Sequence, residues 1–158
     1  MADAFALSPP QLVFAFEVRA EIGKAIEVGS TPRGYRRIVP ILGGVVEGPG
    51  VNGTVLPGGA DWQIVRTDGV TEIEARYTLD IETQGLVYIV NTGIRRADPD
   101  VMARLNAGQP VDESEYYFRT VPRFEAAAPS AQWLMRSIFL AAGQRNPTSV
   151  RIRFWRVL

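Results

Sequence analysis

The chain has 158 residues, 46% hydrophobic and 22% charged, which suits one globular domain with a sizeable core. Its 17 basic and 17 acidic residues cancel, and this argues against nucleic acid as the main partner, because phosphate binding needs a net basic face. With no His and no Cys, disulfides, zinc–thiolate sites, histidine metal sites and His-based triads or dyads are excluded.

The elements run as follows. Leu12 to Arg19 alternates Leu12, Phe14, Phe16 and Val18 on one face and reads as a strand. Gly23 to Val28 is a second strand or the edge of a turn, and Thr31-Pro-Arg-Gly34 turns the chain. Tyr35 to Leu42 is rich in β-formers, and Gly43-Gly44 breaks or bulges it. Val45 to Glu47 and Gly53 to Leu56 are short strands around the Gly48-Pro49-Gly50 turn. Pro57-Gly58-Gly59 turns again, Trp62 to Arg66 is a strand, and Thr67-Asp68-Gly69 is a hairpin connection.

Val70 to Glu82 is the longest strand. Ile73, Ala75, Tyr77, Leu79 and Ile81 lie on one face; Glu72, Glu74, Arg76, Thr78, Asp80 and Glu82 lie on the other. Leu86 to Gly93 follows the Thr83-Gln84-Gly85 turn. Asp98 at the N-cap and Pro99 at the first helical position predict a helix over Asp98 to Ala107, ended by Gly108. Tyr116 to Phe124 is a strand and Ala126 to Ser130 a loop. Trp133 to Ala142 fits helix or strand, and Val150 to Leu158 closes the chain as a strand. Nine or ten short strands with one helix point to an all-β antiparallel barrel or sandwich, read as a single domain over residues 1–158.

The Met1 to Leu7 stretch has neither a basic region nor a long apolar run, and no segment approaches the roughly 20 apolar residues of a membrane helix. A cytoplasmic location is the expectation, with no membrane partner. Lys24 is the only Lys. An Arg-favouring genome explains this bias; the alternative is a need for planar forks that grip carboxylates or phosphates.

Chemistry is left to carboxylates, arginines and tyrosines. Gly58-Gly59-Ala60-Asp61-Trp62 is the most informative stretch. Two glycines let the backbone bend sharply and admit a ligand or another backbone, so Asp61 is a candidate general acid or base and Trp62 a candidate wall. The plainer alternative is a turn-capping Asp61 and a core Trp62. Arg76 either orients a ligand inside the barrel or makes ion pairs on a solvated face; alternation alone does not say which face is inside. Tyr116-Tyr117-Phe118-Arg119-Thr120 places Tyr117 and Arg119 on one face, where they could donate to a developing oxyanion or simply stack. Tyr88, Trp133 and Glu47 are further candidates for ligand contact. Gly43-Gly44 and Gly48-Pro49-Gly50 form no phosphate-binding loop, so no nucleotide cofactor is expected. No motif arranges carboxylates for a metal either.

Gly43-Gly44-Val-Val-Glu47-Gly48-Pro49, Gly58-Gly59-Ala60-Asp61-Trp62, Ala75-Arg76-Tyr77, Tyr117-Phe118-Arg119-Thr120 and Trp133-Leu134 occur in that order. In these motifs the chain resembles a bacterial and fungal family, domain of unknown function number three-two-three-seven, from about Leu12 to Val157. The resemblance implies a lipocalin-like antiparallel β-barrel of about eight to ten strands that often forms a homo-oligomer. It implies no established activity, but it raises Asp61, Arg76 and Arg119, which are polar where a barrel core is apolar.

The expectation is a cofactor-independent enzyme using general acid–base chemistry on a small oxygenated organic molecule. An isomerase, tautomerase, hydratase or dehydratase fits, with Asp61 moving the proton and Arg76 and Arg119 stabilising an enolate or carboxylate. The alternatives are a non-catalytic binding barrel and a structural oligomerisation module.

Overall fold

Burial along the longest strand settles which face is inside. In Thr71–Ile81, Ile73, Ala75, Tyr77, Leu79 and Ile81 are all buried, while Glu72, Arg76 and Asp80 are exposed. Burying the apolar row is favourable and burying the charged row is not, so the sheet curls around the first. The computed structural model describes residues 6–158. The first five residues, part of the stretch read above for a leader, lie outside the described residues.

The strands are β1 (Leu12–Ile22), β2 (Ile26–Thr31), β3 (Gly34–Glu47), β4 (Gly53–Val55), β5 (Gly59–Val65), β6 (Thr71–Ile81), β7 (Gly85–Arg96), β8 (Tyr117–Ala126), β9 (Phe139–Arg145) and β10 (Ser149–Val157). Two short helices, α1 (Pro99–Asn106) and α2 (Gln132–Met135), flank β8. All pairings are antiparallel, and the ring β1-β10-β9-β8-β7-β6-β5-β3 returns to β1. Eight strands therefore form a closed antiparallel barrel, and β2 and β4 are extra. β4 fills the gap between β3 and β6 beyond the end of β5, and β2 pairs with β3 alone. The all-β barrel expected from the sequence is the observed fold.

One end of the barrel is plugged. Phe16 stacks on Phe154 with ring centroids 4.7 Å apart, and Phe124 meets Phe139 edge-on at 5.1 Å. α2 closes this end through buried Leu134 and through Trp133, which lies 5.7 Å from Phe139. The opposite end receives the C-terminal ends of β5, β7 and β9 and the start of β8, and α1 lies in the connection there.

Several boundaries differ from the sequence reading. Val45 to Glu47 is not a separate strand: β3 runs through Gly43-Gly44 with a bulge that shifts its register against β1. The ambiguous Trp133 to Ala142 divides into α2 and β9, so the described residues hold two α-helices where one was expected. Asp98 is the N-cap of α1 but makes no side-chain capping bond. Most consequentially, β7 continues past Gly93 to Arg96. Among the described residues, no helix is long and apolar enough to cross a membrane.

Ring closure depends on Gly44. Its φ is +142°, in register with Ala20 across the β1–β3 seam, and a Cβ there would sit 2.1 Å from the Arg19 carbonyl oxygen. Gly44→Ala is expected to lose about 3 kcal/mol of stability through that backbone clash. Gly50→Ala, at φ +68° with nothing within 4 Å of the added carbon, is expected to lose about 1 kcal/mol. Urea unfolding of both variants checks the order, and equal losses would remove the seam from the explanation.

Candidate functional site

At this opposite end of the barrel, away from α2, the inward-facing row turns polar. β5 approaches β6 so closely that a Cβ on Gly59 would lie 2.6 Å from the Arg76 carbonyl oxygen. This close approach explains the glycine and brings Asp61 into register with Ala75. Beside that small residue the backbone N–H of Glu74 donates to Asp61 Oδ1 at 3.0 Å. Gln63, two residues on and on the same face, donates from Nε2 to Asp61 Oδ2 at 2.7 Å. Arg37 Nε donates to Gln63 Oε1 at 2.8 Å, which holds the amide with its NH2 group toward Asp61.

Asp61 and Gln63 line a cavity of about 50 Å³ with Asn91, Arg95 and Arg145. Ile73, Tyr77, Phe118 and Ile152 supply apolar wall. Arg95 is 2% exposed. Its Nε has no hydrogen-bond partner among the described residues, and no carboxylate among them reaches ion-pair distance. The nearest compensation is the face of Phe118, whose centroid lies 5.6 Å from the Arg95 Cζ.

Burial and charge move the titrations here. Burial pushes the Asp61 carboxyl above its ordinary value, against the downward pull of Gln63, the Glu74 N–H and the Arg95 and Arg37 charges. Burial, with repulsion from Arg37 and Arg145, pulls Arg95 down to about 10. Arg145 is lowered by burial first and by Arg37 second. Its backbone N–H donates to the Tyr116 hydroxyl at 3.0 Å. Three guanidiniums thus act electrostatically around a single carboxylate.

Of the residues singled out from the sequence, Asp61 alone reaches this cavity. Arg76 is on the outer face, its Nη2 2.8 Å from Glu74 Oε1, because the apolar row of β6 took the interior. Tyr88 belongs to the same outer side, in register with Thr78. Arg119 is also outside, over the Tyr117 ring at 5.4 Å, and Tyr117 is 40% exposed. Tyr116, Phe118 and Thr120 of that segment face inward, and Phe118 lines the cavity. Trp62 is outside too, lining a shallow surface depression with Arg36 and Glu74. Glu47 is exposed, in register with Glu17. Trp133 sits at the plugged end, donating to Gln84 Oε1 at 3.0 Å. Asp61, Arg76 and Arg119 therefore do not converge.

Gln63, Asn91, Arg95, Arg145 and Arg37 were missed. The signal for Arg95 was present in the alternation Val87, Ile89, Asn91, Gly93, Arg95, which carries one face through to the end of β7.

Comparison with known proteins places the chain in a family. It belongs to the family described as "Protein of unknown function (DUF3237)", whose model matches residues 10–157. A UPF0311 protein of Rhodopseudomonas palustris is 42% identical over 145 residues, covering 92% of this chain and 95% of that protein. The crystal structure of a conserved protein of unknown function from Rhodopseudomonas palustris superposes with a TM-score of 0.91 at 39% identity, covering 96% of this chain and 100% of that one. An enzyme from Penicillium herquei shares the fold, with a TM-score of 0.72 at 17% identity and 97% and 98% of the two chains covered.

Because the folded Asp61 holds its proton more tightly than the unfolded one, its contribution to stability is full below the ordinary value of 3.8 and lost as pH rises through the raised one. Asp61→Asn removes that loss. The unfolding midpoint of the variant is expected to gain on the wild type from about pH 4 upward, and parallel curves would contradict the shift. Arg76→Gln, on the outer face, is expected to leave the midpoint unchanged.

Proposed function

We propose that this barrel is an acid–base enzyme acting on a small oxygenated organic molecule at the end opposite α2. The observation that supports the reading best is a positioned carboxylate beside a buried cation that has no counter-ion among the described residues. Both Asp61 oxygens are held, one by Gln63 and one by the Glu74 N–H, so the carboxylate has a fixed direction. Its raised proton affinity brings it closer to the working range of a general base.

In this reading, Asp61 takes a proton from the carbon next to a substrate carbonyl. The C–H electron pair moves into the C–C bond, and the carbonyl π pair moves onto oxygen as an enolate. Arg95 and Arg145, which line the cavity with Asp61, stabilise that charge where water is largely excluded. Returning the proton to a different atom gives an isomer or tautomer; passing it from Asp61 to a hydroxyl on the β carbon, which leaves as water while the enolate pair forms the C=C bond and restores the carbonyl, gives a dehydration product. Proton movement of this kind draws on the chain's own residues. Arg76 and Arg119, expected from the sequence to stabilise the enolate, are replaced in that role by Arg95, with Arg145 and Arg37 adding positive potential.

The reaction is testable before its natural substrate is known. Small ketones, 2-oxo acids and 3-oxo acids are incubated with the protein in deuterated water, and exchange at carbon is followed by NMR. Wild-type protein is expected to accelerate exchange for at least one of them, with a rate that rises with pH as Asp61 loses its proton and then levels. Asp61→Asn is expected to be slower by about 10²–10⁴-fold while staying folded. Equal rates for the two proteins would end the assignment of Asp61 as the base.

A further inference from the structure

Arg95 limits what can occupy the cavity. A guanidinium stays protonated at neutral pH, and burying it without a partner is costly. Phe118 recovers only part of that cost through its ring face. Asp61 does not supply the missing charge: both its oxygens are engaged elsewhere, and it does not reach ion-pair distance of Arg95. Arg145 lines the same cavity and Arg37 stands behind Gln63, so the local balance is two positive charges in excess of Asp61. Nothing in the fold of the free protein needs this excess, since an apolar residue on β7 would continue the row set by Val87 and Ile89.

We infer that the substrate is a small organic acid whose carboxylate enters the cavity as the counter-ion of Arg95. A guanidinium presents its donors as a planar fork that matches the two oxygens of a carboxylate. The cavity of about 50 Å³ is far smaller than the roughly 300–1,000 Å³ of sites for drug-sized ligands. It takes a carboxylate with a few carbons, or that edge of a longer acid whose remainder stays at the mouth. The apolar walls at Ile73, Phe118 and Ile152 suit those carbons. This inference rests on the site proposed above and adds the substrate's charge to it.

The experiment measures binding, independently of turnover. Thermal unfolding midpoints are recorded with increasing sodium formate and sodium acetate, against sodium chloride at equal ionic strength and against acetamide, the neutral isostere of acetate. A ligand that binds only the folded state raises the midpoint in a saturable way. Wild-type protein is expected to respond to both carboxylates and to neither control.

Arg95→Met is expected to unfold at a higher temperature without ligand and to lose at least tenfold in carboxylate affinity. Arg95→Lys, which keeps the charge and loses the fork, is expected to fall between them. Acetate titrated into wild-type protein by calorimetry gives the affinity directly if a variant fails to fold. A midpoint that responds to acetamide as to acetate, or an Arg95→Met protein that binds acetate as tightly as wild type, overturns the inference.

The two readings fail separately. Asp61-dependent exchange on neutral ketones with no carboxylate binding would sink the organic acid and leave the acid–base site standing. Carboxylate binding that needs Arg95, with exchange indifferent to Asp61→Asn, would do the reverse.

Discussion

Closing eight strands into one ring obliges every second residue of each strand to share a single interior. The ring has no open edge, so a residue cannot leave that interior without shifting the register of its whole strand. In β6 this forces Ile73, Ala75, Tyr77, Leu79 and Ile81 inward and leaves Glu74 and Arg76 to pair outside. In β7 the same rule carries Val87 and Ile89 into the core and then, unavoidably, Asn91 and Arg95. The candidate site exists because the apolar row stops before the strands do.

The interior is accordingly divided. At the α2 end, Phe16, Phe124, Phe139 and Phe154 pack against one another and against the helix, supplying apolar burial. At the other end, a guanidinium is held out of water with its Nε unpartnered beside a partly buried carboxylate. Stability gained in the first region offsets the cost carried in the second, a common arrangement where function needs a strained or unpaired group. Asp61 and Arg95 are kept from neutralising each other because Gln63 and the Glu74 N–H already hold the carboxylate. A tight ion pair would be more stable and would leave neither group free to act on a ligand.

Much of the fold was legible in the residues. Period-two alternation located β1, β6 and β10, and glycine-rich turns separated most of the others. Asp61 was legible through Gly58-Gly59, since a Cβ on Gly59 would strike β6. For the other two candidates, Arg76 and Arg119, the residues left an inward and an outward reading open, and the structure has the outward one for each. Arg76 sits between buried Ala75 and Tyr77, and Arg119 between buried Phe118 and Thr120, so each is on the outward parity of its strand. Arg95 was overlooked because Gly93 reads as a strand end. It lies instead in the strand, where a Cβ would approach the Arg119 carbonyl oxygen at 2.1 Å and glycine permits the close contact.

The sequence by itself determined most of the strands, the parity of apolar residues within them, and the restriction of chemistry to carboxylates, arginines and tyrosines, because these are properties of neighbouring residues. Only the tertiary structure decided which polar residues meet. Arg37, Asp61, Asn91, Arg95 and Arg145 come from four strands spread over more than a hundred residues, and the ring alone brings them to one end. Their shared surroundings, a low-dielectric wall and an excess of positive charge, arise from that meeting. No local pattern encodes it, since each residue in its own strand is merely a polar side chain near the end of an apolar row.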